Sequence, residues 1–174
     1  MARFLLTLGV VVVFVLEGTV MQVFSPDAWG LSWLTVPRFA LVCCIFISMY
    51  LGRREGLYYG IAFGFLQDVL FGQLIGIYTM SMMVASYFAG MIVLLFQRGF
   101  GMVFITSFLI LFGHEWLLYS LFRLFSAAPF DVQWILTHQI LPSVLFNLAF
   151  GLLVYFPIKN VCNKILAKKE MHMQ

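Results

Sequence analysis

The chain has 174 residues, 63% of them hydrophobic and 10% charged, with a formal net charge of +3. A soluble domain carries about 25% charged residues, so this balance excludes a water-soluble core clothed in polar side chains. The basic residues stand between apolar stretches and in the tail, where they report orientation in a bilayer rather than a nucleic-acid surface.

Apolar stretches of membrane length follow one another from Phe4 to Phe156. Hydrocarbon offers no partners for backbone polar groups, so each stretch must be helical or the whole must be a closed barrel. The runs are continuous rather than alternating, which selects helices. The first predicted span covers residues 4–24. It is too long for a removed signal peptide and no Ala-x-Ala follows it, so it is expected to remain as an anchor. Ser25-Pro26-Asp27 then turns the chain, and Trp29 and Trp33 suit an interface. The second span covers residues 34–51, with Pro37 in its first turn, where a missing N–H costs nothing.

From Gly56 to Phe96 the sequence is a single apolar run. As one helix it would be about 60 Å long, twice the hydrocarbon thickness. Gly72 and Gly76 are the breakers inside it, which predicts a tight turn between a short third span (57–71) and a fourth (77–96). Gln97-Arg98-Gly99 ends the fourth. A fifth span (102–122), a loop holding Pro129 and Asp131, and a sixth span (135–156) complete a six-helix bundle, a single membrane domain over residues 1–158.

The charges test this layout. Arg3, Arg53, Arg54, Arg98, Lys159, Lys164, Lys168 and Lys169 fall on one side, and Arg38 and Arg123 on the other. That excess puts both termini in the cytoplasm and makes the number of spans even. Beyond Pro157, the basic tail 159–174 places Val161, Cys162, Ile165 and Leu166 on one helical face, as a short interfacial helix would. Cys43, Cys44 and Cys162 have neither a metal spacing nor a plausible pairing and are expected to be free thiols.

Ionisable groups away from span ends are costly, about 2.5–3.5 kcal/mol on insertion scales, and usually face the bundle interior. Glu17, Asp68, His114 and Glu115 are such groups, and Arg38, Arg123, His138 and Gln139 lie near span ends. Together they crowd the outer half of the bundle. An ion-pair cluster that satisfies itself, a ligand or proton site, and a contact for another protein's helix all fit this pattern. The glycine spacing is sharper. Gly56, Gly60 and Gly64 recur every four residues, and Asp68, Gly72 and Gly76 continue the interval. On a helix this makes a slowly drifting stripe on which another helix backbone can approach closely, either within the bundle or as a docking groove.

Catalytic patterns fail. His114-Glu115 opens like a zinc-protease motif, but Leu118 stands where the second histidine is needed. Gly-x-Ser-x-Gly elbows and phosphate-cradling loops are absent from the sequence. No enzyme, metal or cofactor is expected.

Leu16-Glu17-Gly18-Thr19, and above all Arg53-Arg54-Glu55-Gly56 through Gly60, Gly64, Asp68, Gly72 and Gly76-Ile77-Tyr78, resemble the rod shape-determining MreD family along the whole chain. The resemblance implies a non-catalytic subunit of the bacterial inner membrane, part of the cell-elongation and peptidoglycan-synthesis machinery. Its implied partners are the membrane-anchored MreC and, through it, MreB and the synthases RodA and its transpeptidase, besides membrane lipids. The family is similar in fold to the S-components of energy-coupling-factor vitamin transporters, so a substrate-binding subunit of that kind is the alternative. S-components carry an Ala-x3-Ala stripe on their first span, and here Phe4 to Val11 lacks it, which favours the scaffold.

Overall fold

The computed structural model describes residues 2–23, 35–72, 74–96, 99–125 and 132–171, and in these the secondary structure is helical throughout. The expected turn at residues 25–27, the interfacial Trp29 and Trp33, Gln97 and Arg98, and Pro129 and Asp131 lie outside the described residues. The elements are α1 (Ala2–Val23), α2 (Phe39–Leu51), α3 (Arg53–Phe71), α4 (Ile77–Leu95), α5 (Phe100–Phe125), α6 (Val132–Ile135), a π-helical segment (Leu136–Ile140) and α7 (Leu141–Met171). By length and composition three helical stretches can cross a membrane: Ile77–Leu95, Phe100–Phe125 and Val132–Lys168.

The hub of the bundle is α2. Each of its residues from Phe39 to Tyr50 is buried, and it touches α1, α3, α4, α5 and α7. A helix apolar on every side belongs inside a bundle. The others bury one stripe each. In α1 the stripe is Leu6, Val10, Phe14 and Glu17, while Phe4, Leu5, Val12 and Val15 face outward.

Three helix boundaries differ from expectation. Pro37 does not sit in the first turn of a helix, because α2 begins at Phe39. Residues 35–38 are instead non-helical, and Val36 to Arg38 are buried. With 13 residues, α2 is about 20 Å long, short of the ~30 Å hydrocarbon core. At the other end of α2, Gly52 alone makes the break. Its φ of 105° suits glycine, and Arg53 to Gly56 already belong to α3.

The third difference lies in the last rod. Pro142 cannot donate to the His138 carbonyl and its ring crowds that carbonyl, and the π-helical widening at Leu136–Ile140 directly before it accommodates both. Pro157, expected to close the last span, stands inside α7. The helix runs on because Ile158, Cys162 and Ile165 are buried against the bundle, so the expected tail helix is a continuation of α7.

Between α3 and α4 the turn lies where the two glycines predicted it, with Gly76 in the left-handed region at φ 106°. The glycine stripe faces inward. A Cβ on Gly60 would lie 2.8 Å from the Met82 carbonyl oxygen, and one on Gly64 2.7 Å from Thr79 Cα, so α3 and α4 touch backbone to backbone. Gly56 meets Ser48 of α2 instead, whose hydroxyl donates to the Ser86 carbonyl of α4.

Candidate functional site

The site begins with a problem of local structure. A helix that starts inside a bundle leaves its first N–H groups without partners, and α2 does so with a non-helical lead-in. Side chains from two other helices supply the partners. The Glu17 carboxylate of α1 accepts from the Ala40 N–H at 2.9 Å. Ser143 Oγ and Asn147 Oδ1, one turn apart on α7, accept from the N–H groups of Val36 at 2.9 Å and Arg38 at 2.7 Å. Asn147 Nδ2 donates back to the Val36 carbonyl at 3.0 Å. Irregular backbone at membrane depth is tolerated where it is buried in protein and satisfied in this way.

Arg38 is thereby held at the entrance to α2 with 7% of its surface exposed. Its Nε donates to Glu115 Oε1 of α5 at 3.1 Å, and its guanidinium lies over the Tyr78 ring, 5.0 Å from the centroid. Glu17, on the other side, also accepts from Gln67 Nε2 of α3 at 3.0 Å. These groups line a cavity of about 440 Å³ at one end of the bundle. Glu17, Arg38, Gln67, Glu115 and Gln139 are its polar lining, and Phe71, Leu118, Phe122 and Ile140 are among its apolar walls. Among the described residues, Arg38–Glu115 is the cavity's only ion pair. The cavity therefore holds two carboxylates against one guanidinium.

Of the polar residues expected to cluster, the structure brings Glu17, Arg38, Glu115 and Gln139 together. His114 and Glu115, adjacent on α5, diverge: His114 is buried outside the cavity lining, with no hydrogen-bond partner within 3.5 Å of either ring nitrogen among the described residues. Arg123 is exposed at the end of α5, in a shallow groove with Trp116 and Leu124. His138 stacks on Trp134 at 5.2 Å and bonds to Thr137, also away from the cavity.

Asp68 has a separate task. Its carboxylate accepts from the N–H groups of Tyr78 and Thr79, each at 2.9 Å, and from the Thr79 hydroxyl, closing the first turn of α4 from the end of α3. Gln67, Ser143, Asn147 and Tyr78 were not anticipated as site residues. Amides and hydroxyls inside apolar runs are the signal that could have found them, because a buried amide must be paired.

Among the described residues no three His, Cys, Asp or Glu side chains converge as a metal site. The arrangement can hold a polar ligand by charge and hydrogen bonds.

The comparisons with known proteins agree over nearly the full chain. The rod shape-determining protein MreD of Bacillus subtilis (strain 168) is 23% identical over 159 residues, covering 91% of this chain and 92% of that protein. No solved structure matches. A family model described as rod shape-determining protein MreD matches residues 2–165, and the chain belongs to that family.

Proposed function

We propose that the chain is a six-span protein of the bacterial inner membrane with both termini in the cytoplasm. In this reading it is a non-catalytic subunit of the cell-elongation machinery. It binds the single-span MreC and acts through it on MreB and on the peptidoglycan synthases RodA and its transpeptidase. The family match over residues 2–165 carries this reading, and it favours shape determination over the vitamin-uptake alternative.

The membrane layout has support of its own. The described helices make six rods once α6, the π-helical segment and α7 are taken as one. Arg3 pairs with Glu55 at 3.0 Å and Thr7 with Tyr59 at 2.8 Å, which keeps the starts of α1 and α3 on the same side, as alternating spans require.

Because α4 fills the glycine stripe from within, the docking surface in this proposal lies just behind it, on the outward face of α3 formed by Tyr58, Ala62, Phe65 and Val69. These positions are exposed. Gly56, Gly60, Gly64 and Asp68 then set the shape of that face by fixing α3 on its neighbours, and Gly72 and Gly76 form the turn that follows it. The test is co-purification of the tagged chain with MreC of the same genome, wild type against Ala62→Trp and Val69→Trp. Both substitutions point outward, so insertion should survive and capture should fall. Unchanged capture by both variants would refute the α3 surface, and no capture by the wild type would refute the partner.

A further inference from the structure

The cavity at the entrance to α2 is larger than its own side chains require. At about 440 Å³ it would take roughly 15 waters at ~30 Å³ each, yet much of its wall is aromatic and aliphatic. Apolar walls with a few convergent polar groups are the mark of a ligand site. Its charge is specific: Arg38, Glu17 and Glu115 all line it, each more than nine-tenths buried. A purely anionic ligand would meet two carboxylates, and a purely cationic one would meet the guanidinium. A ligand with both signs a few ångströms apart suits all three. Glu115 engages the Nε edge of Arg38, and no second carboxylate lies within ion-pair distance of that guanidinium among the described residues. Its planar fork is therefore suited to a phosphate.

The wall adds direction. Phe71 lines the cavity and is also 45% exposed on the outside of the bundle, so the cavity reaches the surface along a lipid-facing residue. Gly18 stands beside it, with a Cβ there 3.2 Å from Phe71 Cζ.

We infer that this cavity binds the head group of an aminophospholipid of the phosphatidylethanolamine type. The phosphate sits against Arg38, the ammonium against the carboxylates of Glu17 and Glu115, and the acyl chains leave past Phe71 into the bilayer. A primary ammonium is favoured over a quaternary one because carboxylates take N–H donors. The inference rests on the cavity and stands apart from the MreC assignment.

Native mass spectrometry of the full-length chain in detergent tests it, with phosphatidylethanolamine, phosphatidylglycerol and phosphatidylcholine of matched chains titrated separately. A single ethanolamine-lipid adduct about tenfold tighter than the other two is the expected result. Equal affinities, the signature of lipid coating the outer surface, would overturn it. Glycerophosphoethanolamine, the head group without chains, should bind more weakly than the diacyl lipid, and equal binding would overturn the lipid as source. Two variants locate the adduct. Arg38→Gln combined with Glu115→Gln removes both charges while keeping side chains that can bond to each other, and it should abolish the preference. Gly18→Leu narrows the opening beside Phe71 and should lower occupancy, its melting temperature being read alongside to separate a blocked opening from a weakened fold. Wild-type selectivity in the first, or wild-type occupancy in the second, would disprove the site.

Discussion

Two buried carboxylates perform the same task at two places in this bundle. Asp68 satisfies the N-terminus of α4 from the end of α3, reaching residues 10 and 11 positions ahead. Glu17 satisfies the N-terminus of α2 from α1, reaching 23 positions ahead. The Asp68 cap belongs to one hairpin, closed by a glycine turn and held by backbone contact. The Glu17 cap belongs to a network of five helices that also includes Gln67 and Arg38, the latter bound to Glu115 across 77 positions and to Asn147 across 109. The first is a local device that stabilises a pair of helices. The second is a long-range device that leaves a cavity, and with it room for a ligand.

The largest effect is expected in the network. Arg38→Met leaves Glu115 without its cation, and breaking one side of a buried pair costs about 3–5 kcal/mol. Arg38→Met with Glu115→Leu should recover most of that loss, because the desolvated charges leave together. Unfolding of both variants in the same detergent measures the difference. A double variant no more stable than the single would mean that the pair is not the closed unit seen here.

The hairpin should respond almost as strongly to bulk. Gly64→Leu drives a side chain into the Thr79 backbone, where even a Cβ would lie at 2.7 Å, for a cost of about 3 kcal/mol or more. Gly9→Leu meets nothing within 4 Å of the new Cβ and should melt with the wild type. Similar melting temperatures for the two leucine variants would contradict the inward direction of the stripe. Asp68→Ala follows, at about 1–2 kcal/mol for a lost cap. Asp68→Asn, which keeps one acceptor oxygen, should cost less, and equal losses would assign the effect to charge rather than to capping.

The same contrast governs what could be foreseen. The α3–α4 turn and the glycine interval arise over short distances, so the local sequence exposes them. Glu17 and Glu115 could be recognised as costly away from span ends, and Arg38 as their neighbour near one, but position along a span does not determine which way a side chain points. That is why His114 and Glu115, neighbours in sequence, part company, and why Arg123 and His138 fall outside the cavity. Pro37 and Pro157 misled for the complementary reason. Their local preferences, for a helix start and a helix stop, yielded to partners supplied by distant residues: Ser143 and Asn147 at the entrance to α2, and the buried face of Ile158, Cys162 and Ile165 along α7.

The smallest effect should come from the pair that most resembles Arg38–Glu115 on paper. Arg3 and Glu55 meet at 3.0 Å, marginally closer than the buried pair, but their side chains are 65% and 34% exposed. Water and salt screen such a pair, and its contribution is about 0–1 kcal/mol. Arg3→Ala should therefore shift the melting temperature little, and less still as salt is raised. Orientation is where it should show, since Arg3 stands at the start of the first span and positive residues hold their end of a helix in the cytoplasm. Cysteine-accessibility labelling at residue 2 would read that, with Arg3→Glu as the stronger variant. A large loss of stability with unchanged orientation would mean that the pair acts as a clamp between α1 and α3, in the manner of the buried one.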